Sequence, residues 1–129
     1  MKEFSIASLQ VALKQHDKIA FALLFGSSKD GRLIKDNADI DIALYLSDKP
    51  SADMLAEIVG LCQDAIQYDA IDLVVLNDAD PILAFEALSG SLLVCNNEEA
   101  YLRFFSLTCR QYEDEMLRIE RSRSYRRSV

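Results

Sequence analysis

The run Ile40-Asp41-Ile42-Ala43-Leu44-Tyr45-Leu46, with Asp39 directly ahead of it, restricts the possible folds more than any other part of the chain. Its length and apolar content predict a strand over about 39–46, and a strand sends residues i and i+2 to one face. Asp39 and Asp41 then point one way while Ile40, Ile42, Leu44 and Leu46 point the other. Neighbouring carboxylates repel each other unless a proton or a divalent cation lies between them. Their hard oxygens suit Mg2+.

A second apolar run, residues 18–25, reads as a strand covered on both faces and is closed by Gly26-Ser27. Glycine lets the backbone approach a phosphate closely, and Ser27 with the N–H groups after it can donate hydrogen bonds to that phosphate. Glycine also simply ends strands and serine simply caps helices. The pair gains meaning only because an Asp-x-Asp strand follows it. A third strand, 70–76, repeats the oddity: Asp72 interrupts Ile71, Leu73, Val74, Val75 and Leu76. A lone carboxylate there is costly to bury. Taken singly, Asp39 could cap a turn, and Asp41 and Asp72 could pair with a Lys or Arg. Neither strand holds a Lys or Arg, whereas one shared metal cluster satisfies all three acids.

Helices are predicted around these strands. Residues 5–15 place Ile6, Leu9 and Leu13 at helical spacing behind Ser5. From Ser51 onward, Leu55, Ile58, Leu61, Cys62, Ala65 and Ile66 form one stripe. Pro81 fits the first turn of a helix over 80–89 that Gly90 ends, and Ser91 to Cys95 is a weak fourth strand. Asn97 with Glu98 and Glu99 opens a last helix whose Tyr101, Phe105, Thr108, Tyr112 and Met116 share a face. Its aromatic stripe, Phe104 included, reads as core rather than as partner contact. The order helix, strand, strand, helix, strand, helix, helix predicts an α/β fold, a small mixed β-sheet covered by helices. The 129 residues suit a single domain, 1–129, with a basic helix end or tail at about 118–129.

Composition removes several function classes. No apolar stretch reaches the roughly 18 residues that cross a bilayer, and the first residues lack a signal peptide's apolar segment, so a cytoplasmic protein is expected. Cys62, Cys95 and Cys109 form no CxxC pair and each sits in an apolar pattern, so buried, reduced thiols are expected. With His16 the only histidine, a zinc site of His and Cys finds no support. The net charge of -7 conceals a split, because five arginines and one glutamate make residues 118–129 carry +4, which leaves -11 on the rest. An acidic body argues against direct nucleic-acid binding, which rests on neutralising phosphates. The basic end reads equally as cations that complement a helix dipole or as a docking element.

Leu24-Phe25-Gly26-Ser27, then Gly31, then Ala38-Asp39-Ile40-Asp41-Ile42-Ala43-Leu44, resembles the nucleotidyltransferase superfamily of the DNA polymerase beta type. With no further domain expected, the resemblance narrows to minimal nucleotidyltransferases (MNT), the antitoxins of HEPN/MNT pairs of the HepT/MntA type. It implies that Asp39, Asp41 and Asp72 hold two Mg2+ ions and that Gly26 and Ser27 bind the terminal phosphates of ATP. It also implies transfer of AMP to a tyrosine hydroxyl of a HEPN ribonuclease toxin, which silences the toxin. Two departures from the pattern fall in one loop: eleven residues separate Ser27 from Asp39, one more than is usual, and Asp30 stands where many relatives carry Arg. Lys29 or Arg32 could replace that cation. The alternatives are an antitoxin that blocks its toxin by contact alone and a nucleotidyltransferase acting on a small molecule.

Overall fold

A computed structural model of the chain describes residues 2–26, 33–34 and 38–128, with side chains for 3–26 and 38–124. Ser5 caps α1 (Ile6–Lys14), its Oγ accepting from the Ser8 amide at 3.2 Å. The chain then enters β2 (Ile19–Phe25), all seven residues of which are buried. Strand β4 (Ile40–Leu46) runs antiparallel to β2, and α2 (Ala52–Ile66) carries the chain over to β5 (Ile71–Val75), which lies parallel to β4. A short turn, Leu76–Asp78, leads to α3 (Pro81–Leu88) and β6 (Ser91–Cys95), and α4 (Glu98–Ser128) ends the fold. The sheet order is β5-β4-β2-β6, with β6 antiparallel to β2. The segment read as a weak strand is therefore a full edge strand. A two-stranded ribbon of β1 (Lys2–Glu3) and β3 (Leu33–Ile34) was not legible, because two-residue pieces show no periodicity.

Each helix start has a side-chain acceptor, as the capping residues predict. The Ser51 Oγ accepts from Met54, one Asp80 oxygen accepts from both Ile82 and Leu83, and Asn97 accepts from Ala100. α2 stops at Gln67, which takes the left-handed conformation at φ 54° and closes the last turn. α3 ends at Ser89. Gly90 is needed for a different reason: a Cβ there would sit 2.2 Å from the Leu24 carbonyl oxygen, so only glycine lets β6 begin this close to β2.

The sheet is packed on both faces. On one side Leu9 and Leu13 of α1 and Ile58, Cys62 and Ile66 of α2 cover Ala22, Leu24, Ile42 and Leu44. On the other side Ala84, Ala87 and Leu88 of α3 cover Phe21, Leu23, Phe25 and Ala43. Tyr101 and Phe104 of α4 complete that second layer, stacking around Phe21 and Tyr45 with ring centroids 5.0–5.9 Å apart. Each fully buried Leu, Ile or Phe contributes about 1.5–3 kcal/mol. Tyr101 and Phe104 of the α4 stripe are thus core, as read from the sequence, whereas Phe105 is 40% exposed and Tyr112 is in neither core layer. Cys62 is buried and its thiol is pushed up to about 11 by that burial. Cys95 is exposed, against expectation, because β6 is an edge strand and its last residue faces outward.

Where β5 has already ended, a side chain completes the hydrogen bonding of β4. The Leu46 amide donates to Asn77 Oδ1 at 2.9 Å, and Asn77 Nδ2 donates back to the Leu46 carbonyl at 2.8 Å. Among the described residues no helix is long and apolar enough to cross a membrane.

Candidate active site

The register of β4 with its neighbours assembles the acidic end of the sheet. Asp41 is opposite Phe25 on β2 and beside Asp72 on β5, and two residues on, Ala43 is beside Val74. Ala43 and Val74 belong to the layer under α3 and α4. Strand alternation therefore puts Asp41 and Asp72 on that same face. The two carboxylates read from separate strands stand next to each other. Asp39 lies just ahead of β4 with its side chain exposed. Its backbone is pinned on both sides: the Tyr68 hydroxyl donates to the Ala38 carbonyl at 2.6 Å, and the Ile40 amide donates to Ala70 at 2.8 Å.

Gly26 follows the last residue of β2 and turns the chain with φ +74°, a conformation that favours glycine. A Cβ at this position would lie 2.1 Å from Asp41 Oδ2. Any side chain would thus displace the carboxylate, so the glycine and the aspartate form one structural unit. Ser27, Lys29, Asp30, Gly31 and Arg32 lie outside the described residues.

Partial burial holds the Asp41 carboxyl above the usual carboxylate range. The negative charges of Asp72, Asp39 and Glu86, and then a hydrogen bond with Asp72, push in the same direction. Among the described residues none of these four acids enters an ion pair. Mutually repelling oxygen donors with no cationic partner among the described residues fit a hard divalent ion such as Mg2+. The three aspartates do not form a ready-made cage, however: among the described residues no group of three acids, histidines or cysteines is placed to hold one ion. Asp39 is exposed, yet its charge still acts on Asp41. It is solvated beyond the strand and carries the same charge as the Asp41–Asp72 pair.

Beside Gly26 opens a cleft of about 590 Å3, lined by Phe25, Gly26, Ile82, Phe85, Glu86, Ser89 and Tyr112. In its wall Phe85 of α3 and Tyr112 of α4 stack on each other with ring centroids 3.9 Å apart and planes 11° from parallel. Reading the sequence did not single out Phe85 or Glu86. The available signal was that Glu86 is the one charged residue in the otherwise apolar α3.

The chain belongs to the polymerase beta nucleotidyltransferase family, whose model matches residues 7–99. No curated protein matches the sequence. Among solved structures, a crystal structure of a toxin–antitoxin MntA–HpeT mutant is 23% identical, covers 96% of this chain and 98% of its own, and superposes with a TM-score of 0.71. A toxin–antitoxin structure with AMP-PNP is 25% identical over 95% of this chain and 97% of its own, at a TM-score of 0.70. A structure of tri-AMPylated Shewanella oneidensis HEPN toxin in complex with MNT antitoxin is 21% identical over 95% and 98%, at a TM-score of 0.65. They share the mixed sheet and its helical cover.

Proposed function

We propose that this chain is a Mg2+-dependent protein adenylyltransferase of the cytoplasm that acts as an antitoxin. It transfers AMP from ATP to a tyrosine hydroxyl of a HEPN-type ribonuclease toxin and so neutralises it, working as one minimal nucleotidyltransferase domain over residues 1–129. The observation that carries the reading is the packing of Gly26 against Asp41 with Asp72 alongside. Support comes from similar chains in complexes described with AMP-PNP and with a tri-AMPylated HEPN toxin.

Asp39, Asp41 and Asp72 would hold Mg2+, which when bound neutralises phosphate oxygens and stabilises both the entering and the leaving oxygen of an in-line displacement. Gly26, bare of a side chain, lets the phosphates approach the backbone, and Ser27 donates to the terminal phosphates. The acceptor hydroxyl attacks the alpha phosphorus. Its new P–O bond forms as the bond to the beta phosphate breaks, pyrophosphate leaves, and the hydroxyl proton passes to Asp72 and on to water. Most of the work is positioning, which makes the reaction effectively unimolecular. The basic end of α4 suits docking onto an acidic partner face, since Arg121 and Arg123 are exposed while Arg118 pairs with Glu115.

A second reading, inhibition of the toxin by contact alone, draws on the absence of a ready three-carboxylate group among the described residues. Intact mass spectrometry of the HEPN partner, co-expressed with wild type or with Asp41→Ala, separates the two. Catalysis predicts a partner heavier by one or more AMP units with wild type only. An unmodified partner that either version binds and inhibits would leave contact inhibition standing.

A further inference from the structure

Resting on the nucleotidyltransferase reading, we propose that the cleft between α3 and α4 seats the base of the donor nucleotide, an amino-bearing purine whose exocyclic amine donates to Glu86. Continuity is the first argument. Gly26, packed against the Asp41 carboxylate, is itself a wall of the cleft, so a nucleotide whose alpha phosphate is held at Asp41 has its ribose and base within reach of the same cavity. The walls are the second. The Phe85–Tyr112 stack offers flat aromatic surface, and Ile82, 44% exposed, adds an apolar side chain that a planar ring would cover. The volume of about 590 Å3 lies within the range of small-molecule sites.

Glu86 supplies the selectivity. It projects from an apolar helix into the cleft and has no ion-pair partner among the described residues. An ionised carboxylate only accepts hydrogen bonds, so a neighbour that presents N–H groups suits it and one that presents only lone pairs does not. An exocyclic amino group meets that requirement. Ser89, on the same wall, has a hydroxyl that donates to the Phe85 carbonyl at 3.0 Å and keeps its lone pairs as further acceptors.

The test compares Mg2+-dependent binding of ATP and of purine riboside triphosphate, which lacks only the 6-amino group, by titration calorimetry. Wild type is expected to bind ATP about tenfold or more tightly than the analogue, the usual worth of a hydrogen bond to a charged group. Glu86→Ala should bring that ratio close to one. Glu86→Gln, which keeps an acceptor oxygen, should retain part of it. A ratio that is unchanged in Glu86→Ala, both ligands shifting together, would show that Glu86 acts only through its charge on Asp41 and would overturn the proposal. Equal binding of both triphosphates by wild type would overturn it too. Binding of neither would instead bring down the nucleotidyltransferase reading itself. Tyr112→Ala fixes the occupant: a base in the cleft requires nucleotide affinity to fall. Unchanged affinity with slower transfer to protein would place the acceptor side chain there and reject the base.

Discussion

Beneath α1 and α2 the sheet shows Leu24, Ile42 and Leu44, all fully buried. Beneath α3 and α4 the sheet shows Phe21, Ala43 and Tyr45, with Asp41 and Asp72 at the starts of β4 and β5 and an open cleft beside Gly26. Adjacent residues of β4 thus belong to different economies: Ile42 is held by packing, while Asp41 sits among like charges that disfavour it. The lesson is that stability and chemistry are divided by the pleat of the strand, one residue apart. A protein built this way can lose either property without the other.

The largest expected effect tests that division directly. Asp41→Ala should lower nucleotide transfer on the order of a thousandfold or more, with little loss of thermal stability, read by partner modification and by calorimetric unfolding. Its neighbour Ile42→Ala should do the reverse, costing about 2–5 kcal/mol in denaturant unfolding while the protein that remains folded keeps its activity. If both variants failed in the same assay, the two faces would not be independent. Gly26→Ala bridges the faces. Its backbone strain should cost about 1–3 kcal/mol, and displacing the Asp41 carboxylate should slow transfer by about a hundredfold. The smallest effect is a gain. The folded state raises the proton affinity of Asp41, so the stability linked to that proton is full at low pH and lost as pH rises through the folded pKa. At neutral pH Asp41→Asn should therefore unfold at a higher temperature than metal-free wild type. The gap should close as pH falls just above the ordinary carboxylate range, and added Mg2+ should stabilise wild type only.

Local chemistry made much of this fold legible. Ser5, Ser51, Asp80 and Asn97 announce helix starts because capping depends on one side-chain oxygen within three residues. The central strands were read within a residue or two, since apolar runs and their breakers are contiguous. Asp41 and Gly26 stood out for the same reason. Pairings between distant segments were not legible. Nothing in the sequence sets Asp72 level with Asp41, puts β6 at the edge where Cys95 meets solvent, or stacks Phe85 on Tyr112, far along the chain. The cleft exists only once α3 and α4 have packed, so Glu86 drew no notice.

The carboxamide of Asn77 has a consequence for where α3 departs. Leu46 lies on a seven-residue strand whose parallel neighbour has five, and Asn77 serves there as a counterfeit peptide group, giving and taking one hydrogen bond. The backbone is thereby released from the ladder early and can swing at once into the helix that bears Glu86. Replacing that amide by a carboxylate would set two oxygens face to face and unlatch the departure point, shifting the far wall of the cavity without touching any residue that lines it.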